Sequence, residues 1–529
     1  GERWWYVEAD QPQGVPDGPD LLFTENTTNF ERLYDEPNLV PYVKDGINNA
    51  VVHGQLEKVN PEMCGTKAAA HFKWDVPPGE LITVRLRFSN QQNESPFNNF
   101  DSIFSQRLQE ADDFYQSIRN PNLSVDQVNV QRQAFAGLLW TKQFYHYSVE
   151  LWLDGDPVGP TPPDSRKLGR NRGWNHIYNL DVISMPDKWE YPWYAAWDLA
   201  FHTIPIAILD PEWAKRQLIL FLREWYMHPN GQIPAYEWAL GDVNPPVHAW
   251  AALRVYEITR ETTGFADTEF LEQVFQKLLL NFTWWVNRKD SDDNNLFQGG
   301  FLGLDNIGVF NRSEDLPIKG HLEQADGTAW MGMYCLNMLA IAIELAQTRP
   351  SYEDMASKFL EHFIYISNAI HNFGMWNQED GFFYDLLHSP IHSRLPLKIR
   401  SFVGLIPLFA VETIDPDVFE KLPKFKKRMD WFIENRPHLL ENIASLTRRG
   451  TCGRCLLSLV DSQKLKQVMF HMLDEKKFLS DFGLRSLSKE HLNNPFTFAV
   501  GEHTFSAQYV PGESDSEMFG GNSNWRGPI

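Results

Sequence analysis

The sequence predicts a mainly α fold, an (α/α)6 barrel incomplete at its C-terminal end, preceded by part of an antiparallel β-sandwich. Three observations carry this expectation. Hydrophobic periodicity changes once, from short alternating stretches to a helical repeat near residue 100. The helical stretches then follow one another to about residue 478. Their connections alternate between tight ones and long ones crowded with Trp, Tyr, Asp, Asn, His, Pro and Gly, and long loops inside a compact domain are uncommon unless they do something. The boundaries expected are 1–99 for the β part and 100–529 for the helical part. A helical bundle or a solenoid would show similar helices, although no fixed-length repeat supports a solenoid.

In chain order, W-W-Y-V-E, L-L-F-T-E and A-A-H-F-K-W-D-V read as strands, and the turn P-P-G-E leads into L-I-T-V-R-L-R-F-S. Helical spacing then marks segments near 100–118, 125–153, 193–209, 211–226, 247–260, 268–289, 326–347, 352–372, 401–413, 416–435 and 461–478. The elaborate connections are 153–192, 226–247, 289–325 and 479–529. In a barrel these would gather at one rim above a central funnel.

Composition narrows the function classes. A chain of 529 residues with a net charge of −21 lacks the basic surface that nucleic acid or an anionic membrane requires. No run of 18 apolar residues suggests a transmembrane helix. A neutral, polyhydroxylated ligand suits such a chain better, and carbohydrate is the expected partner. The 19 Trp residues serve either a thick core or sugar-stacking platforms. Four cysteines do not make a disulfide framework, and C-G-R-C at Cys452–Cys455 lacks a second ligand pair at zinc-binding spacing. Neither a metal nor a cofactor is expected.

Two framed carboxylates hold the strongest chemical signal. Asp198 closes W-Y-A-A-W-D, and Asp326 lies within E-Q-A-D-G-T-A-W. Indole faces stack on the apolar faces of a pyranose while a carboxyl handles the glycosidic oxygen, so the pair points to glycoside hydrolysis. Each carboxylate also has a plain structural explanation. Asp326 at a helix start could cap the helix or complement its dipole. Asp198, in the middle of an aromatic helix, could pair with His202 or a lysine, since an unpaired buried carboxylate costs several kcal/mol. The clusters A-Y-E-W (Tyr236, Glu237, Trp238), D-V-N-P-P-V-H-A-W (Asn244, His248), the glycine-punctuated loop Gly299–Gly308 and the closing W-R-G (Trp525, Arg526) would supply a polar, aromatic cup.

The run Pro192–Asp198, the N-P-P-V-H segment, E-Q-A-D-G-T-A-W, the R-S-L-S of Arg485–Ser488 and N-W-R-G-P-I together resemble glycoside hydrolase family 63. This is the family of the processing α-glucosidases, and the helical part is also similar to the mannosylglycerate and glucosylglycerate hydrolases. The resemblance implies an (α/α)6 barrel behind a β-sandwich, inverting hydrolysis of α-glucosidic bonds, and no redox or nucleotide cofactor.

Carried over residue by residue, it implies that Asp326 is the proton donor and that Asp198 contacts the terminal sugar and helps place the water. Trp193, Trp197, Tyr236, Glu237, Trp238, Asn244, His248, Gln324, Trp525 and Arg526 fall on substrate-cup elements. The family's general base is a glutamate that follows the W-R-G-P segment, whereas this sequence ends at Ile529. A fragment that is inactive by itself is therefore expected. The alternatives are a catalytically dead glycan-binding protein and a hydrolase of glucosylglycerate or mannosylglycerate.

Overall fold

The computed structural model describes residues 2–9, 18–157, 159–186, 194–237, 240–288, 294–300, 302–304, 307–312, 314–390, 393–441, 443, 449–481, 483–500 and 503–510. The chain divides into two compact units, one formed by Gly1–Val128 with Asp154–Pro162 and the other by Asn129–Leu153 with Pro163–Ile529. The stretch 100–118, which the sequence reading grouped with the helical part, falls in the first unit.

In the first unit, β1 (Trp4–Ala9) and β2 (Asp20–Thr24) precede α1 (Phe30–Tyr34) and α2 (Gly46–His53), followed by β3 (Lys67–His71), β4 (Val84–Ser89) and α3 (Phe100–Ile118). β1 pairs antiparallel with β4 from Trp4↔Ser89 to Ala9↔Val84, and β2 pairs with β3 from Asp20↔His71 to Thr24↔Lys67. The alternating sequences form strands in part where period 2 places them: the third stretch, A-A-H-F-K-W-D-V, is strand only as far as His71, and the fourth only from Val84. A small core of Leu22, Ala50 and Val59 lies under the second pair.

α4 (Val125–Trp140) straddles the division between the units. The expected single helix over 125–153 is interrupted by β5 (Lys142–Ser148) before α5 (Val149–Asp154). The cause lies in K-Q-F-Y-H-Y-S, whose aromatic residues favour a pleated surface. β5 pairs along its whole length with β6 (Tyr178–Ser184), from Lys142↔Ser184 to Ser148↔Tyr178.

The second unit is built mainly from helix pairs. α6 (Ala196–Leu209) passes into α7 (Pro211–Leu220) at Asp210, which caps α7 by accepting from the Trp213 amide at 3.0 Å while Pro211 opens the helix. α8 (His248–Thr263) ends at Gly264, and Asp267 then caps α9 (Thr268–Val286) by accepting from the Phe270 amide at 3.1 Å. The three-residue strand β7 (His321–Glu323) leads into α10 (Ala325–Ala346), and a short turn leads on to α11 (Tyr352–Asn372). The tight connections at 210, 264–267 and 347–351 thus alternate with the long ones at 221–247 and 287–324.

α10 is the central element of this core. Nearly every residue is buried, and its most apolar window is 83% inside the structure. Among the described residues it is the one helix long and apolar enough to cross a membrane, a property the rule of 18 uninterrupted apolar residues had missed. Its apolar girth is explained by packing, because a helix surrounded by others is hydrophobic all round. Two of its polar residues bond to neighbouring helices: Glu344 accepts from Tyr256 Oη at 2.6 Å and Arg260 Nη1 at 2.9 Å, and Tyr334 Oη bonds Leu278 O and Asn281 Oδ1, each at 3.1 Å.

Beyond α11 lie β8 (Trp376–Asn377), β9 (Phe382–Phe383), β10 (Asp385–His388) and β11 (Leu395–Leu397). β10 is the middle strand of a three-stranded antiparallel sheet, between β11 and β7. The stretch expected as helix over 401–413 is a 3-10 segment, Phe402–Phe409, followed by the strand β12 (Val411–Ile414). Pro407 within it cannot donate a backbone hydrogen bond. Gly404 fits closely, since a Cβ there would stand 2.2 Å from Phe382 Cε1. The stretch 416–435 becomes α12 (Val418–Lys421) and α13 (Pro423–Asn435), split at Pro423. α14 (Pro437–Leu440), β13 (Cys455–Ser458), α15 (Ser462–Met472), β14 (Leu479–Ser480), β15 (Gly483–Leu484), β16 (Phe496–Val500) and β17 (His503–Ala507) complete the described α-helices and strands. Cys455 Sγ accepts from Arg449 Nη1 at 3.1 Å.

Candidate active site

Three connecting loops meet at the starts of α6 and α10 in the second unit. Ala195 bridges Tyr236, and the Ala196 amide donates to Ala235 O at 3.0 Å, which ties the start of α6 to the A-Y-E-W segment. Leu302 N donates to Val243 O at 3.0 Å, and Gln324 N to Phe297 O at 3.0 Å, which ties the glycine-rich loop to both neighbours. Gly303, at φ +70°, lies so close to the indole of Trp197 that a Cβ would stand 2.5 Å from the ring. That loop needs glycine there both for the left-handed backbone and for the contact.

Asp326 lies in the first turn of α10 and is 0% exposed. Arg312 Nη2 donates to both of its oxygens, at 2.6 and 2.7 Å, and the Gly327 amide donates to Oδ1 at 2.8 Å. The Arg312 side chain is only 4% exposed. Burial works against the guanidinium charge, but the carboxylates of Asp326, Asp385 and Asp242 hold the Arg312 pKa above its ordinary value. Asp385 accepts from the Ala325 amide at 2.7 Å. Burial first, and then repulsion from Asp326, push Asp385 up to about 7. The start of α10 therefore holds one guanidinium among several carboxyls.

Arg312 also lines a polar cavity of about 540 Å³, together with Tyr236, Asp242, Arg288, His321 and Gln324. Asp242 is nearly buried; its Oδ2 accepts from Tyr236 Oη at 2.8 Å. Arg288 donates from Nε to Gln298 O at 3.2 Å, and its guanidinium lies 5.0 Å from the Trp284 ring centre. Such a cavity is large enough for a small glycoside, with hydrogen-bonding groups of both signs on its wall.

The residues expected from sequence divide into groups. Tyr236 and Gln324 line the large cavity. The Gln324 amide is committed to the glycine loop: Oε1 accepts from the Gly299 and Gly300 amides, both at 2.6 Å, and Nε2 donates to Gly300 O at 2.9 Å. Trp197, Asn244 and His248 line a neighbouring pocket of about 30 Å³, and Val243 lies on both. Asn244 Nδ2 donates to Ala235 O at 3.3 Å. His248 is buried, its Nε2 lies 3.1 Å from Leu218 O, and burial lowers its pKa to about 4, so the ring is neutral at pH 7. That contact links the start of α8 to α7. Glu237 is half-buried, and burial pushes its carboxyl up to about 7. Trp193, Trp238, Trp525 and Arg526 lie outside the described residues.

Asp198 does not form the pair with His202 that was its plain structural alternative; His202 Nδ1 lies 2.8 Å from Ser184 Oγ. Burial raises the Asp198 pKa from 3.8 to about 6, and no cation contributes to the shift. The raised value fixes the sign of the pH dependence. The protonated form is the better tolerated one in the fold, so its contribution is full below about pH 4 and is lost as pH rises through 6. Asp198→Asn does not titrate. The stability of this variant relative to the native protein is expected to increase by roughly 2–3 kcal/mol between pH 4 and pH 8, since one pKa unit is worth about 1.4 kcal/mol. Thermal denaturation at the two pH values measures this, and an unchanged gap would show Asp198 to be fully hydrated or paired.

Arg312, Asp242 and Asp385 were missed by the sequence reading. Arg312 stands in a loop without periodicity, where nothing local marks it. Asp385 carried a usable signal, because F-F-Y-D-L-L places one carboxyl inside an otherwise apolar strand stretch, the same anomaly that marked Asp198.

Residues 191–301 match the mannosylglycerate hydrolase MGH1-like glycoside hydrolase domain. The uncharacterized protein YMR196W of Saccharomyces cerevisiae is 52% identical over 99% of this chain and 51% of its own length, so the chain spans about half of that curated relative. Among solved structures, an uncharacterized conserved protein of Thermus thermophilus is 17% identical, covering 49% of this chain and 72% of its own, with a TM-score of 0.35. A family 63 mannosylglycerate hydrolase of the same organism, in complex with Tris and D-glycerate, is 16% identical, covering 49% of this chain and 74% of its own, with a TM-score of 0.34. Backbone overlap at that level is too partial to support a deduction. The domain match is a different matter, because it spans Asp198, Tyr236, Glu237, Asp242 and Arg288. Residues 191–301 are thus similar to an MGH1-like glycoside hydrolase domain, and the candidate site takes several of its polar side chains from that stretch.

Proposed function

We propose that the protein hydrolyses α-glucosidic bonds in oligosaccharides or small glucosides with inversion at the anomeric carbon, on an (α/α)6 barrel preceded by a β-sandwich. One observation carries the reading. A fully buried carboxylate, Asp326, is held by Arg312, and Arg312 forms part of the wall of a sugar-sized polar cavity. The alternation of tight and long helix connections, with the site built on the long ones, supports the barrel.

Inversion needs a carboxylic acid on one side of the scissile bond and a carboxylate on the other, about 6.5–9.5 Å apart to admit a water. Asp326 is the proton donor in this reading. Arg312 holds both of its oxygens, so donation requires Arg312 to release one of them when the glycosidic oxygen arrives. The Asp385 carboxyl interacts with both members of the pair and is a second protonatable group. Asp198, at the start of α6, contacts the terminal sugar and helps place the water, and the raised Glu237 carboxyl edges the same region. Tyr236 and Asp242 present a coupled hydroxyl and carboxylate to substrate hydroxyls.

A second reading, hydrolysis of mannosylglycerate or glucosylglycerate, is favoured by Arg288 and Arg312 on the cavity wall. A guanidinium there suits an aglycone bearing a carboxylate. The test is a panel of α-glucosides, glucosylglycerate and mannosylglycerate with the full-length protein, following the first-formed anomer by proton NMR. Release of the β-anomer from an α-linked substrate is expected. Release of the α-anomer would overturn inversion, and binding without turnover of any substrate would leave a glycan-binding protein.

A further inference from the structure

We infer that the sheet beside the cavity holds a divalent transition metal, bound by His321, His388 and Glu323. The inference rests on strand geometry and is independent of the reaction proposed above.

β7 and β10 pair antiparallel with His321 directly opposite His388 and Glu323 opposite Leu386. Side chains two residues apart on a strand share a face, and directly opposed residues share it too. His321, Glu323 and His388 therefore project together from one face, while Leu322 and Leu387 join an apolar cluster on the other. His388 Nδ1 lies 3.2 Å from His321 Nε2, and His321 Nε2 lies 3.8 Å from Glu323 Oε1. One ligand atom from each of the three residues fits within a 4.8 Å span.

Bonds of about 2.0–2.2 Å to imidazole and carboxylate place ligand atoms roughly 3–3.5 Å apart around a tetrahedral or octahedral ion. Two of the spacings are thus close to those of a bound ion before any side chain moves. Arg394 Nε lies 3.3 Å from Glu323 Oε2, the carboxylate oxygen other than the one nearest His321. That contact orients the carboxylate as a second-sphere partner does. Two imidazoles and one carboxylate suit Zn²⁺ and its neighbours in the first row better than Ca²⁺ or Mg²⁺, which take oxygen ligands.

The position suggests what the ion does. His321 lies on the wall of the 540 Å³ cavity. At the other end of the same strand pair, Asp385 opens β10 and accepts the amide of Ala325, the residue before Asp326. An ion joining His321 to His388 would clamp the pair at one end and fix the separation of Asp326 and Asp385 at the other.

The full-length protein, freed of metal by chelation, should bind one equivalent of Co²⁺ at micromolar concentration or below. The visible d–d absorption would report imidazole and carboxylate ligation, and Zn²⁺ should displace it. His388→Gln and His321→Gln replace only partly buried side chains, so both should fold. Each is expected to weaken Co²⁺ binding at least tenfold and to abolish the rise in melting temperature that Zn²⁺ gives the native protein. Absence of Co²⁺ binding, or binding and thermal shift unaltered in both variants, would overturn the assignment.

Discussion

Arg312→Met is expected to destabilise the second unit by about 3–5 kcal/mol, because it leaves the Asp326 carboxylate buried without its counter-charge. Methionine keeps most of the length and apolar bulk of the side chain, so packing changes little. What is lost is the pair of bonds at 2.6 and 2.7 Å to an acid that is 0% exposed. Two further contacts to the start of α10 remain, the Gly327 amide on Asp326 and the Ala325 amide on Asp385. Neither replaces a full positive charge. The variant's deficit should be pH-dependent, since an uncompensated buried carboxyl takes up a proton instead. The cost then grows as pH rises and shrinks in acid. Denaturant unfolding of the native protein, Arg312→Met and the double variant Arg312→Met/Asp326→Asn at pH 5 and pH 8 would measure it. The double variant should recover much of the loss, as removing both charges of a buried pair generally does. A single variant as stable as the native protein would show that Asp326 is not held by this pair.

How far the sequence could be read depended on whether a signal was local. The helix α3 begins and ends where its periodicity does, and α7 and α9 start at aspartate caps visible in the chain. The reading failed at Lys142–Ser148, where helical spacing continued through a segment whose aromatic residues pair with Tyr178–Ser184, more than thirty residues away. It failed again at Phe402–Phe409, where Pro407 and the close packing of Gly404 favour a tighter turn. At the site, Asp198 and Asp326 stood out because each is a charge in an apolar or aromatic frame. His248 looked like a ligand for hydroxyl groups, yet its bond to Leu218 O depends on how two helices pack, and no local pattern encodes that. Arg312 was invisible for the same reason: a loop arginine acquires meaning only from the carboxylates that the fold gathers round it.

Asp326→Asn is expected to lower turnover of α-glucosides by about 10²–10⁴-fold, the usual contribution of a positioned general acid. The fold should survive, because asparagine keeps an oxygen for Arg312, and Asp385 and Asp242 still supply negative charge around that guanidinium. The leaving group makes the test specific. A general acid matters in proportion to the proton demand of the departing oxygen, so the loss should be largest on disaccharides. It should be much smaller on glucosyl fluoride, which departs without a proton. A residue that only positions sugar and water loses the same stabilisation whatever leaves, so Asp198→Asn should slow both substrates alike. If the two variants of the full-length protein respond to the leaving group in the same way, Asp326 is not the acid, and the proton must come from another carboxyl, with Asp385 and Glu237, which burial pushes up to about 7, the first candidates.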